Sequence, residues 1–137
     1  MKQKLKPIPK IKKELDALWS AKVRERDGRC ALCGKTGKGL QAHHFIKTRA
    51  RSLKYRWDIR NGITLCYACH FFKVHDMASF EIINQLMQYA TTKGILTPQE
   101  VAEIINDGDK RDVGNDRGFL EACRIELEAK HEQHNNA

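Results

Sequence analysis

Asn61-Gly62-Ile63-Thr64-Leu65-Cys66-Tyr67-Ala68-Cys69-His70 brings a turn, an apolar run, a cysteine pair and a histidine together in one stretch. Asn-Gly is a strong turn signal, and the Ile63–Leu65 run that follows is short and apolar enough for a strand. A second strand is expected upstream at Leu40–Phe45, antiparallel to the first, and it carries two adjacent histidines, His43 and His44. Neighbouring side chains on a strand point to opposite faces, so these two histidines can hold different roles. A helix is expected to begin near Cys66–Cys69 and to carry His70 and His75.

Cys66 and Cys69 have a counterpart in Cys30 and Cys33, with 32 residues between the two pairs. Two CxxC pairs read as a tetrahedral metal site, since each tight turn lets two sulfurs converge on one ion. Thiolates suit zinc. A redox pair and a c-type haem attachment (Cys66-Tyr67-Ala68-Cys69-His70 fits that pattern literally) are the weaker readings. The fifth cysteine, Cys123, is expected to be a buried or half-exposed helix residue without chemistry.

Outward from this centre, Ile11, Leu15, Leu18, Trp19 and Val23 recur at helical spacing, predicting an amphipathic helix over Ile11–Arg26 that Asp27-Gly28 ends. Residues 1–10 are rich in lysine, and Pro7 and Pro9 predict a mobile basic arm. Beyond the central segment, helices are expected over Ser79–Thr92, Pro98–Asn106 and Asp116 to about Glu132. Thr97 is the expected cap of the second, with Pro98 at its first position and Glu100 three residues on. Gly94 and Gly108 are natural stops.

The chain has 137 residues, 25 Lys/Arg and 17 Asp/Glu, for a formal charge of +8. That length suits one domain. The charge is uneven. Residues 1–75 carry 19 basic and 5 acidic side chains, whereas residues 76–137 carry 6 and 12. A basic half points to a polyanion partner, nucleic acid above all. No apolar run is long enough to span a bilayer, so no membrane partner is expected. The basic N-terminus lacks an apolar segment behind it, so a cytoplasmic setting is expected rather than secretion. Between the strands, Lys47, Arg49, Arg51, Lys54, Arg56 and Arg60 alternate with Tyr55 and Trp57. Arg49, Arg51 and Arg56 are the candidate DNA-phosphate contacts, whereas Tyr55, Trp57 and Trp19 read as packing residues.

The strings Arg26-Asp27-Gly28-Arg29-Cys30-Ala31-Leu32-Cys33-Gly34, His43-His44-Phe45-Ile46 and Asn61 to His70 resemble the HNH endonuclease superfamily. The run Arg56–Gly62 followed by Phe71–His75 is most similar to small HNH proteins encoded by phages. The resemblance implies an α+β fold with a ββα-metal, treble-clef-like core over residues 11–78. The basic arm of residues 1–10 precedes it, and a helical extension of the same domain over residues 79–137 follows. It implies a metal-dependent DNA endonuclease that hydrolyses phosphodiesters to 5′-phosphate and 3′-hydroxyl ends, nicking one strand per site. By position, His44 would be the general base, Asn61 would hold the loop that orients it, and His43 and His70 would coordinate one divalent cation. That cation would be Mg2+, Mn2+, Ni2+ or Zn2+, while Cys30, Cys33, Cys66 and Cys69 would bind a structural Zn2+. Family members often place a last ligand four residues after the position of His70, where this chain has Val74; His75 serves if the helix is distorted, or water takes its place. The acidic helices are expected to supply a homodimer contact or to dock a phage protein partner. The alternative is a zinc-stabilised nucleic-acid-binding module without catalysis, which leaves His43, His44, Asn61 and His70 as coincidence.

Overall fold

Helix α1 (Ile8–Asp27) buries Leu15, Trp19 and Val23, one turn apart on one face, with Ile8, Ile11 and Leu18 half-buried beside them. It starts three residues earlier than the sequence suggests. Pro7 caps it in extended geometry and Pro9 lies in the first turn, where the missing N–H would have had no helical partner anyway. The backbone N–H groups of Lys10 and Ile11 both reach the Pro7 carbonyl, so the prolines start this helix rather than block it. Gly28 ends it in the left-handed conformation (φ 67°), its N–H donating to Arg24. This computed structural model describes residues 4–48, 54–71, 80–108 and 113–135, with the backbone alone from residue 130.

Strands β1 (Leu40–His44) and β2 (Gly62–Cys66) pair antiparallel, with Leu40 opposite Cys66, Ala42 opposite Thr64 and His44 opposite Gly62. All of β2 is buried. Its outer edge is covered: Ala31 donates its N–H to the Thr64 carbonyl, and the Asp27 carboxylate accepts the Thr64 N–H. Arg26 fixes that carboxylate in a bidentate pair and also donates to the Ile59 and Gly62 carbonyls. The Arg26-Asp27-Gly28 string therefore joins the end of α1 to β2. A short helical turn over residues 67–71 follows β2, widening to i→i+5 geometry at 69–71.

Three helices complete the fold: α2 (Phe80–Thr92), α3 (Pro98–Asn106) and α4 (Arg117–Asn135). Thr97 caps α3 through a reciprocal capping box with Glu100, and Gly94 (φ 73°) ends α2. The core lies in three small clusters. Leu120 and Leu127 of α4 join Leu15, Trp19, Val23 and Trp57; Leu86 of α2 joins Cys30, Ile63, Leu65, Cys66 and Cys69; Tyr55 joins Ala90, Leu96 and Ile104. The architecture is α+β, a ββα-type centre flanked by an N-terminal helix and C-terminal helices.

The acidic helices find partners within the chain itself. Lys54 and the Tyr55 hydroxyl both donate to Asp107, at 2.6 and 2.5 Å, Arg60 pairs with Glu100 at 2.9 Å, and Lys47 reaches the Ile105 carbonyl. No helix among the described residues is long and apolar enough to cross a membrane.

Candidate functional site

The first CxxC forms a knuckle immediately after α1. Cys30 donates its N–H to Lys35, and Gly34, at φ 78°, donates back to Cys30. This turn brings Cys30 and Cys33 against Cys66 and Cys69 at the end of β2, where ligand atoms of all four lie within 4.8 Å of one another. Cys33 and Cys66 sulfurs are 3.6 Å apart. A tetrahedral zinc site with Zn–S of about 2.3 Å has sulfur–sulfur edges of about 3.8 Å, so the four cysteines are placed to bind such an ion. The electrostatics agree. Burial pushes the Cys30 thiol up, but hydrogen bonds from the backbones of Cys33, Cys66 and Leu32 outweigh this and hold it at about 7. Cys69 is pushed far above the ordinary thiol range by burial and by its bonds to Cys66, Cys30 and Cys33. One thiolate forms readily there and further ones need a cation to share their charge.

On β1, Gln41 and His43 share one face of the sheet, while Ala42 and His44 share the other. His43 meets His70, from the turn after β2, edge to face with ring centroids 4.9 Å apart. His70 Nδ1 lies 2.5 Å from the Gln41 side-chain oxygen. With Nδ1–H donating there, a neutral His70 carries its lone pair on Nε2. Gln41 was readable from strand alternation, two residues before His43, yet the sequence reading passed over it.

His44 faces α1. Its ring stacks on Trp19 at 3.9 Å and 6° between planes. Its Nε2 lies 2.8 Å from the Arg56 carbonyl oxygen, and a neutral imidazole donating there carries its proton on Nε2 and its lone pair on Nδ1. Trp19 is itself tied through Nε1 to the Asp58 carbonyl. Gly62 sits opposite His44 because nothing larger fits: a Cβ there would lie 2.5 Å from Val23 and 2.6 Å from Trp19.

Asn61 is fully buried, and its amide joins three chain segments. Its oxygen accepts from the N–H groups of Ile46 and Lys47, and its nitrogen donates to the carbonyls of Lys47 and Tyr55. It thereby fixes the loop leaving β1 against the turn that carries Arg56.

Arg56 corrects the sequence reading. It is only 8% exposed, its guanidinium clasps Asp16 of α1 through two bonds of 3.0 and 2.7 Å, and it stacks on Trp57. A guanidinium closed in this way is an internal tie rather than a DNA-phosphate contact. Tyr55, Trp57 and Trp19 are buried, as expected of packing residues. Cys123 is half-buried on α4, its thiol raised to about 11 by burial and by Glu126 and Asp58 nearby. Arg49, Arg51 and His75 lie outside the described residues.

Residues 30–74, from the first cysteine of the knuckle to just short of His75, match a family model described as HNH endonuclease. The match covers both CxxC pairs, both strands, His43, His44, Asn61 and His70. No curated protein and no solved structure matches the chain.

Proposed function

We propose that the chain is a metal-dependent DNA endonuclease in which the two faces of β1 divide the work. The observation that carries this reading is the pair His43 and His44. One meets His70 on the Gln41 face; the other is stacked on Trp19 with its Nε2 proton committed to a carbonyl. HNH nucleases act on DNA, and the family match spans this pair.

His44 is the general base. Its Nδ1 takes a proton from a water that attacks phosphorus as the bond to the 3′ oxygen breaks, and that oxygen takes a proton from solvent water, leaving 5′-phosphate and 3′-hydroxyl ends. A positioned base of this kind contributes about 10² to 10⁴ in rate. Asn61 keeps the base's loop in place. His43 and His70 hold one divalent cation (Mg2+, Mn2+, Ni2+ or Zn2+), which when bound neutralises the phosphate and stabilises the leaving oxygen. His75, which lies outside the described residues, is the third ligand in this reading. Zinc in the four-cysteine site is structural. Arg49 and Arg51 contact phosphates within the basic half. A single site nicks one strand per encounter.

The test is incubation of supercoiled plasmid with wild type and His44→Ala across Mg2+, Mn2+, Ni2+ and EDTA. Nicking by wild type alone, abolished by EDTA, is the expected result. DNA binding without cleavage under every metal would make the chain a zinc-stabilised binding module instead.

A further inference from the structure

The proton on His44 Nε2 depends on where the Arg56 carbonyl points, and that carbonyl belongs to a four-residue turn, 54–57, that is held by residues outside the family-matched segment. Asp16, on α1, takes the Arg56 guanidinium in two bonds of 3.0 and 2.7 Å and the Trp57 indole N–H in a third of 2.9 Å. Arg56 and Trp57 are 8% and 2% exposed, and the guanidinium lies 4.8 Å over the indole ring. At the other end of the turn, Asp107, just past α3, takes Lys54 and the Tyr55 hydroxyl. In the middle, Asn61 holds the Tyr55 carbonyl. The Arg56 carbonyl is presented to His44 at 2.8 Å from a turn pinned by its side chains on both sides.

We propose that Asp16 and Arg56 are positioning residues for the reaction: their ion pair locks the turn so that the Arg56 carbonyl holds His44 in one orientation with its proton on Nε2. This rests on the reading of His44 as the base. Neither residue touches the reacting atoms. Trp19 sets the plane of the imidazole by stacking, and the carbonyl sets its rotation within that plane. Trp19 and the Asp16 that ties down the carbonyl's turn both lie on α1, so the helix N-terminal to the zinc knuckle is part of the catalytic arrangement rather than packing alone. An exposed ion pair is worth little, but this one is bidentate and its guanidinium is buried, so removing Asp16 leaves the Arg56 charge without its carboxylate.

The experiment uses full-length protein with isotope-labelled histidine. The His44 imidazole N–H resonance is assigned by its absence from His44→Ala. In wild type it should exchange slowly with water. In Asp16→Ala and Arg56→Ala it should broaden or vanish, with kcat lowered about tenfold or more and KM changed by less than about twofold, the pattern of a lost transition-state arrangement. Arg56→Lys, which keeps the charge but not the fork, should fall between. Should Asp16→Ala fail to fold, Asp16→Asn preserves an acceptor for Trp57 and removes the charge, and the same resonance is read. A resonance as protected in the variants as in wild type overturns the proposal, as does a fall in kcat with the resonance unchanged. Because the resonance is read without DNA, a wild type that never cleaves would refute the nuclease reading and with it the catalytic role, while the resonance would still decide whether the Asp16–Arg56 pair orients His44.

Discussion

Gly62→Ala is a perturbation whose cost can be worked from the structure. The backbone at Gly62 is ordinary extended chain (φ −119°, ψ 144°), so alanine meets no conformational penalty. Its Cβ, however, would sit 2.5 Å from Val23 Cγ2 and 2.6 Å from Trp19 Cζ2, about 1 Å inside ordinary contact. Trp19 has little freedom to retreat: its indole N–H is bonded to Asp58 and its ring lies on His44. Overpacking of this kind costs about 1–3 kcal/mol, against which alanine recovers about 0.4–1 kcal/mol through a less flexible unfolded chain. The net of about 1–2 kcal/mol should lower the melting temperature by roughly 3–8 °C in a chain of this size. Calorimetry on the metal-loaded protein measures it. Adding Val23→Ala removes one of the two clashing groups, so the double variant should be less destabilised than the sum of the single ones, by about 0.5–1 kcal/mol. A Gly62→Ala protein that melts at or above the wild-type temperature would refute the close approach of Trp19 to the sheet, and with it the stacked placement of His44.

Cys66→Ser should lose bound zinc and stability together, because Cys66 is 4% exposed in the cluster formed with Ile63, Leu65 and Leu86; metal content by mass spectrometry and melting temperature both report it, and unchanged values would rule out a structural site. Burial, and then the bond to Asp107, raise the Tyr55 hydroxyl to about 12 from an ordinary value near 10. A group raised on folding contributes stability below its unfolded value and loses it as pH rises through its folded one, so stability should drop between about pH 10 and pH 12. Tyr55→Phe should show a shallower drop across that window in chemical-denaturation curves; an identical slope would remove Tyr55 from the account. DNA affinity should fall with salt, and with the two phosphate contacts of Arg49 and Arg51 a fourfold rise in salt weakens binding roughly 12-fold. A flat salt profile in fluorescence anisotropy would exclude the basic half as the DNA-binding face.

Much of the fold was readable because its signals are local. The Thr97 capping box, the Gly28 and Gly94 stops and the apolar spacing of α1 each depend on residues within a turn or two, and α3 spans the expected Pro98–Asn106. Strand alternation likewise separated His43 from His44 in advance. What could not be read depends on partners distant in sequence. Arg56 looks the same in sequence whether it grips a phosphate or a carboxylate, and only folding brings Asp16, 40 residues earlier, to its guanidinium. In the acidic half, Glu100 and Asp107 close onto Arg60, Lys54 and Tyr55, partners 40 or more residues away in the same chain that no local pattern announces. Pro7 and Pro9 were misread for a different reason: the same residue that breaks a helix interior is well suited to its first turn, and only the position of the turn distinguishes the two.

The division of labour across β1 is tested most directly by the cleavage rate of an end-labelled duplex against Mn2+ concentration for wild type, His43→Ala and His44→Ala. A lost ligand and a lost base act on different parts of that curve. His43→Ala should raise the half-saturating Mn2+ concentration about tenfold or more and recover much of its rate at high metal. His44→Ala should leave that concentration unchanged and lower the plateau by about 10² to 10⁴ at every metal level. Rescue of His44→Ala by metal, or a His43→Ala curve with a lowered plateau and an unshifted midpoint, would contradict the assignment of the two histidines to opposite faces and different tasks.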